Sequence, residues 1–75
     1  MTELTVIFAG PLGGALQKSA ERIFEAHGGI KVSESQTVTG PKAGECEVCY
    51  DVPGYYAEIA KKAIKQAGFR LGPEK

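Results

Sequence analysis

The sequence predicts an α+β fold in which two helices cover one side of an antiparallel sheet. Residues 4–9 and 45–52 alternate with the period of strands, residues 12–27 and 56–67 repeat with the period of helices, and glycine or proline stands at each change of period.

Leu4, Val6 and Phe8 alternate with Thr5, Ile7 and Ala9, so this strand is apolar on one side and partly apolar on the other, as a central strand is. Gly10 and Pro11 break it. Leu12, Leu16, Ala20, Ile23, Phe24 and His27 then recur at helical spacing, with Gln17, Lys18, Glu21, Arg22 and Glu25 outward. Gly28 and Gly29 offer the left-handed backbone that ends a helix, which places the stop near His27. Residues 30–38 are rich in strand formers (Ile30, Val32, Thr37, Val38) but polar at Ser33, Glu34, Ser35 and Gln36, the composition of a half-exposed strand near a sheet edge.

Gly40, Pro41, Lys42, Ala43 and Gly44 read as a hairpin-like connection. Beyond it, Cys46, Val48, Tyr50 and Val52 alternate with Glu45, Glu47, Cys49 and Asp51 as the clearest strand of the chain. Pro53 and Gly54 open a second helix with an apolar stripe of Tyr56, Ile59, Ala60, Ala63, Ile64 and Ala67 and with Lys61, Lys62 and Lys65 toward water. Gly68 ends it, and Phe69, Arg70 and Leu71 suffice for a very short last strand before Gly72 and Pro73. With right-handed crossovers, this order gives a ferredoxin-like βαββα(β) sandwich, one domain over residues 1–75.

A chain of 75 residues buries roughly 60% of the surface its unfolded form exposes, so its stability margin is thin. Nine Lys plus Arg balance nine Asp plus Glu, and the zero net charge argues against a nucleic-acid binder. No run approaches the ~20 apolar residues of a membrane span. Glu3 stands where a secretory leader carries basic residues, so a cytoplasmic protein with no membrane association is expected. Two cysteines are too few for the disulfide framework of a small secreted domain.

The closing segment AIKQAGFRL, residues 63–71, resembles the end of heavy-metal-associated domains, where the second helix finishes in an Ala-Gly-aromatic turn. The resemblance is topological, runs over about residues 4–71, and implies the ferredoxin-like fold. In that family the loop after the first strand carries Met-x-Cys-x-x-Cys, which holds a soft metal such as copper(I) through two thiolates. Here the loop is Gly10, Pro11, Leu12, Gly13, Gly14 and Ala15, with no ligand at any matching position. The resemblance therefore implies the fold without the metal, and no cofactor is expected.

Cys46 and Cys49 have the spacing of a redox or metal pair, but residues three apart on a strand point to opposite faces. A core position for Cys46 and an outer one for Cys49 are expected. The glycine bend leads a strand into a helix N-terminus, a setting in which the amides of Gly13 and Gly14 could hold an anion. It lacks the Gly-Lys-Ser/Thr of a phosphate-binding loop and does not match Gly-x-Gly-x-x-Gly, so a permissive turn is the simpler reading. His27 reads as a capping or packing residue, and no nucleophile has a base placed near it by spacing, so no catalysis is expected.

What remains is surface. Lys61, Lys62 and Lys65, joined by Lys18 and Arg22, give the helical layer a basic side, while Glu45, Glu47 and Asp51 lie on the strand face turned away from the helices. Ile7, Ala9 and Cys49 could form an apolar strip on that open face, suited to a partner protein or to a homodimer through the sheet. The open-face candidates Thr5, Ile7, Glu47 and Cys49 do not stack bases, which counts against RNA recognition. Tyr55 has no place in the second helix's stripe and is expected to be exposed, as contact residues are.

The leading expectation is a non-enzymatic protein-binding module that occupies a surface of a larger partner protein or complex through Tyr55, Lys61, Lys62, Lys65, Glu45, Glu47 and Asp51. Free-standing proteins of this size include phage and mobile-element inhibitors of host defence complexes, the anti-CRISPR class among them, and the reading extends to that group on size alone. The alternative is a carrier domain derived from the metal-binding fold that holds a small ligand or anion at Gly13 and Gly14. A third and weaker reading, nucleic-acid binding through Lys61, Lys62 and Lys65, predicts an affinity that falls steeply with salt.

Overall fold

The computed structural model describes residues 2–41 and 43–72. Its elements are β1 (Thr2–Ala9), α1 (Ala15–Ala26), β2 (Ile30–Gln36), β3 (Glu45–Val52), α2 (Gly54–Gln66) and β4 (Arg70–Leu71). The four strands form one antiparallel sheet of order β2-β3-β1-β4. Lys42 and Pro73, which the sequence reading placed in the hairpin connection and the terminus, lie outside the described residues.

The register of the central pair follows from its alternation. Leu4 faces Tyr50, Val6 faces Val48 and Phe8 faces Cys46, so every apolar alternate of both strands falls on one side of the sheet. A slip by one residue would turn that whole set to solvent, which is what pins the pairing. These side chains form the core with Ala20 and Phe24 of α1 and Ala60 and Ile64 of α2. Phe24 stacks on Tyr50, with ring centroids 4.1 Å apart and 14° between planes, and Phe69 meets Phe8 edge-on at 6.3 Å.

Both helices end in the same glycine cap. After α1, Gly28 takes φ +76°, its N–H donates to the Glu25 carbonyl, and the Gly29 N–H donates to the Phe24 carbonyl at 2.7 Å. After α2, Gly68 takes φ +92°, with its N–H on the Lys65 carbonyl and the Phe69 N–H on that of Ile64. Each cap satisfies carbonyls that the helix end leaves orphaned and turns the chain back to the sheet. Gly29 has a second reason to be glycine, because a Cβ there would lie 2.9 Å from the Phe24 carbonyl oxygen.

The helices sit on the sheet with a rotation that the apolar stripes did not predict. In α1 the buried residues are Gln17, Ala20 and Phe24; Gln17, expected outward, is 3% exposed, while Leu16, expected in the core, is 46% exposed. In α2 the buried residues are Ala57, Ala60 and Ile64, and Tyr56 and Ile59, expected in the buried stripe, are 40% and 54% exposed. The cause is side-chain size. Small residues at 20, 57 and 60 let the helices approach the sheet closely, and the bulky neighbours one position away swing to the flanks.

Candidate functional site

The glycine bend is held from inside. The Gly13 N–H donates to Oε1 of Gln17 at 2.5 Å, and Gln17 Nε2 donates to Oε2 of Glu34 on β2 at 2.7 Å. The Gly14 N–H donates to the Pro11 carbonyl at 3.2 Å. Gly13 takes φ +75°, which a side chain would strain. The two amides that made this bend a candidate anion site thus already have acceptors within the chain. Gln17 stands three residues after the helix-capping Gly14, the position from which a glutamine reaches back over a helix start. That spacing was the available signal for its role.

The hydrogen bond from Gln17, with the ammonium of Lys31 at 3.5 Å, holds the Glu34 carboxyl below its ordinary range. A carboxylate so held supports the fold above its ordinary pKa, and that support is lost as pH falls through the lowered value. In Gln17→Ala, the Glu34 titration followed by NMR is expected to move back up and the Gly13 amide to exchange faster with solvent.

On the open side of the sheet, Ala9 faces Glu45, Ile7 faces Glu47, Thr5 faces Cys49 and Glu3 faces Asp51. The three predicted acidic residues therefore share the face turned away from the core, as expected. They are not equally available, because Glu45 is bound by Arg70 of β4 and Asp51 is half-buried, while Glu47 is exposed. Cys49 Sγ lies 3.2 Å from Thr5 Oγ1 on this face, whereas Cys46 donates from the core to the Gly10 carbonyl at 2.8 Å. The sheet separates the two sulfurs, and burial pushes the Cys46 thiol above its ordinary pKa. Among the described residues no group of three His, Cys, Asp or Glu is placed to hold a metal ion.

The third candidate lies on α2. Tyr55 is 79% exposed, and its ring leans on Tyr56 with centroids 4.5 Å apart. Tyr56 in turn meets the His27 ring edge-on at 6.4 Å, across the gap to α1. His27 caps α1, its Nδ1 lying 2.7 Å from the Ile23 carbonyl oxygen. The three lysines divide: Lys62 and Lys65 are exposed, while Lys61 is half-buried with its ammonium 2.9 Å from a Glu58 carboxylate oxygen. At the other end of the helix pair Leu16 lines a shallow cleft with Ala67 and Phe69. Leu16, Tyr56 and Ile59, which the sequence reading took for core, are thus exposed on the helices beside Tyr55, which it expected to be exposed.

No helix among the described residues is long and apolar enough to cross a membrane. The chain matches no protein-family model, no curated protein and no solved structure.

Proposed function

We propose that this chain is a ferredoxin-like sandwich that works as a non-enzymatic protein-binding module, engaging a larger partner through its surface. The fold assignment is supported by the βαββαβ order and the sheet order β2-β3-β1-β4, with residues of both helices in one core. The Ala67-Gly68-Phe69 turn that closes α2 into β4 supports the topological kinship with heavy-metal-associated domains.

The observation that carries the binding reading is the placement of Tyr55, Tyr56 and Ile59. Three large side chains on one helix stand in water while Ala57, Ala60 and Ile64 fill its buried positions. Ile59 is 54% exposed, so covering it would contribute about half of the ~1.5–3 kcal/mol of a full burial, a gain the fold by itself forgoes and a contact surface recovers. The glycine bend, with both amides engaged, lends no such support to an anion carrier. The narrower reading, an inhibitor of a host defence complex, names a partner that no described residue selects, and the proposal stops at the surface.

The test is affinity capture from the native cells with tagged protein, beside a Tyr55→Ala/Ile59→Ala double variant. The wild type is expected to bring down one stoichiometric complex that the variant loses. Each exposed substitution is expected to change unfolding free energy by no more than about 0.5 kcal/mol. Absence of any complex, or a complex indifferent to the double substitution, counts against the reading.

A further inference from the structure

The sheet has two edges, and they are built differently. The β4 edge is a strand of two residues, one of them Arg70. The β2 edge is seven residues long, and every one of them is exposed. Folded proteins keep an open edge from pairing with another chain by shortening it or by placing a lysine, a proline or a bulge on it. On β2 those devices stop early. Lys31 stands near its start, and Val32 is an extra residue in the register, since Lys31 faces Tyr50 and Ser33 faces Cys49. Residues 33–39 hold no Lys, Arg, Pro or Gly, and their one charge, Glu34, is engaged by Gln17 and Lys31 of its own chain.

The direction of the backbone groups on this stretch follows from Thr37. Its N–H donates to the Glu45 carbonyl at 2.9 Å and its carbonyl accepts the Gly44 N–H at 2.8 Å, so both groups turn toward the β3 side. Backbone groups alternate in direction along an antiparallel strand. Those of Ser33 and Ser35 therefore turn toward β3 as well, and those of Glu34 and Gln36 turn outward, where no described strand receives them. What covers such a row is an extended strand, which presents donors and acceptors at the same spacing.

We propose that this strand is β2 of a second copy, paired antiparallel about a two-fold axis at Ser35. The chain is self-complementary in that register. Glu34 of each copy exchanges both backbone hydrogen bonds with Gln36 of the other, Ser35 faces Ser35, Ser33 faces Thr37, and Val32 falls opposite Val38 at both ends. Val32 and Val38 are 52% and 78% exposed in the single chain, so the pairing also covers apolar surface that the fold leaves in water. Sliding the second copy by two residues, the smallest slide that keeps outward groups facing each other, sets Glu34 against Glu34 in one direction and against Val38 in the other. The sequence thus favours its own copy and one register. α2 packs mainly over β1, β3 and β4, so this proposal does not rest on the binding surface of that helix.

The experiment is sedimentation equilibrium from micromolar to millimolar protein, with amide hydrogen exchange at both ends of the range. The wild type is expected to dimerise reversibly, and the Glu34 and Gln36 amides to exchange more slowly in the concentrated sample. Ser35→Lys and Ser35→Glu, at an exposed position, each set like charges across the axis and are expected to weaken the dimer about fivefold or more. Mixing the two variants in equal amounts is expected to restore pairing as a heterodimer. Gln36→Pro removes an outward donor and is expected to leave a folded monomer. A wild type that stays monomeric throughout, a dimer indifferent to charge at residue 35, a charge-swapped mixture that does not pair, or protection that falls on amides of α2 or β4 instead overturns the proposal. A monomer whose Glu34 and Gln36 amides become protected only in complex with another protein overturns the second copy as the occupant of this edge.

Discussion

Phe24→Ala is expected to remove a large share of the protein's stability. Truncating a buried phenylalanine costs about 3–5 kcal/mol, as lost transfer energy and as the cavity left behind. A domain of this length has in all roughly 4–11 kcal/mol of stability. Phe24 combines two roles. Its ring is fully buried and stacks on Tyr50 of the central strand, while its carbonyl accepts the N–H groups of His27 and Gly29 in the cap that ends α1. Alanine keeps the carbonyl, so the variant isolates the ring.

Urea denaturation followed by circular dichroism measures the loss, with Phe24→Leu as a milder replacement expected to cost about 1.5 kcal/mol or less. Leu16→Ala is the instructive contrast. The same sequence pattern places Leu16 and Phe24 on one apolar stripe, but Leu16 is half in water and its truncation is expected to cost less than 1 kcal/mol. A Phe24→Ala variant as stable as Leu16→Ala would mean that α1 sits on the sheet as its hydrophobic stripe suggests.

Those two residues mark where sequence reasoning reaches and where it stops. The strands were legible because a period of two has only two faces: once Leu4, Val6 and Phe8 are taken as inward, Thr5 and Ile7 are outward. The same arithmetic placed Cys46 in the core and Cys49 on the other face. Glycine punctuation was legible for a similar reason, since Gly28 and Gly68 adopt backbone that other residues avoid.

Helix orientation is a continuous angle. An apolar stripe wider than the contact it makes leaves that angle to be set by tertiary packing, here by Ala20 and Ala60, which the stripe counts as weak members, and by Ala57, which it leaves out. The surplus on the stripe, Leu16, Tyr56 and Ile59, is the material of the candidate site, so the site was concealed by being read as core. Tyr55 escaped that error because it fitted no stripe. Gln17 was misread for the converse reason: a polar residue in the first turn reads as outward, and its two hydrogen-bond partners, Gly13 and Glu34, meet only in the folded chain.

Alkaline pH is expected to destabilise this protein, with the buried Tyr50 hydroxyl as one source of the loss. The Tyr50 hydroxyl is buried and has no hydrogen-bond partner among the described residues. Burial foremost, and then the carboxylates of Glu21, Glu25 and Glu34, push its pKa up to about 12. The folded state therefore holds the phenolic proton more tightly than the unfolded chain, which releases it near pH ~10. Above that pH the unfolded state binds fewer protons than the native one, so stability is fully present below the unfolded pKa and falls as pH rises from about 10 through about 12.

Urea midpoints measured from pH 7 to pH 12 are expected to trace that fall, and Tyr50→Phe is expected to remove Tyr50's contribution to it. Tyr55→Phe, on an exposed ring, leaves the fall in place. At neutral pH the same Tyr50→Phe substitution is expected to stabilise the fold by about 1–3 kcal/mol, because it deletes a buried donor whose desolvation nothing offsets while keeping the ring that stacks on Phe24. A loss of stability at neutral pH would instead show that the hydroxyl has a hydrogen-bond partner in solution, and the alkaline fall would then measure the breaking of that bond.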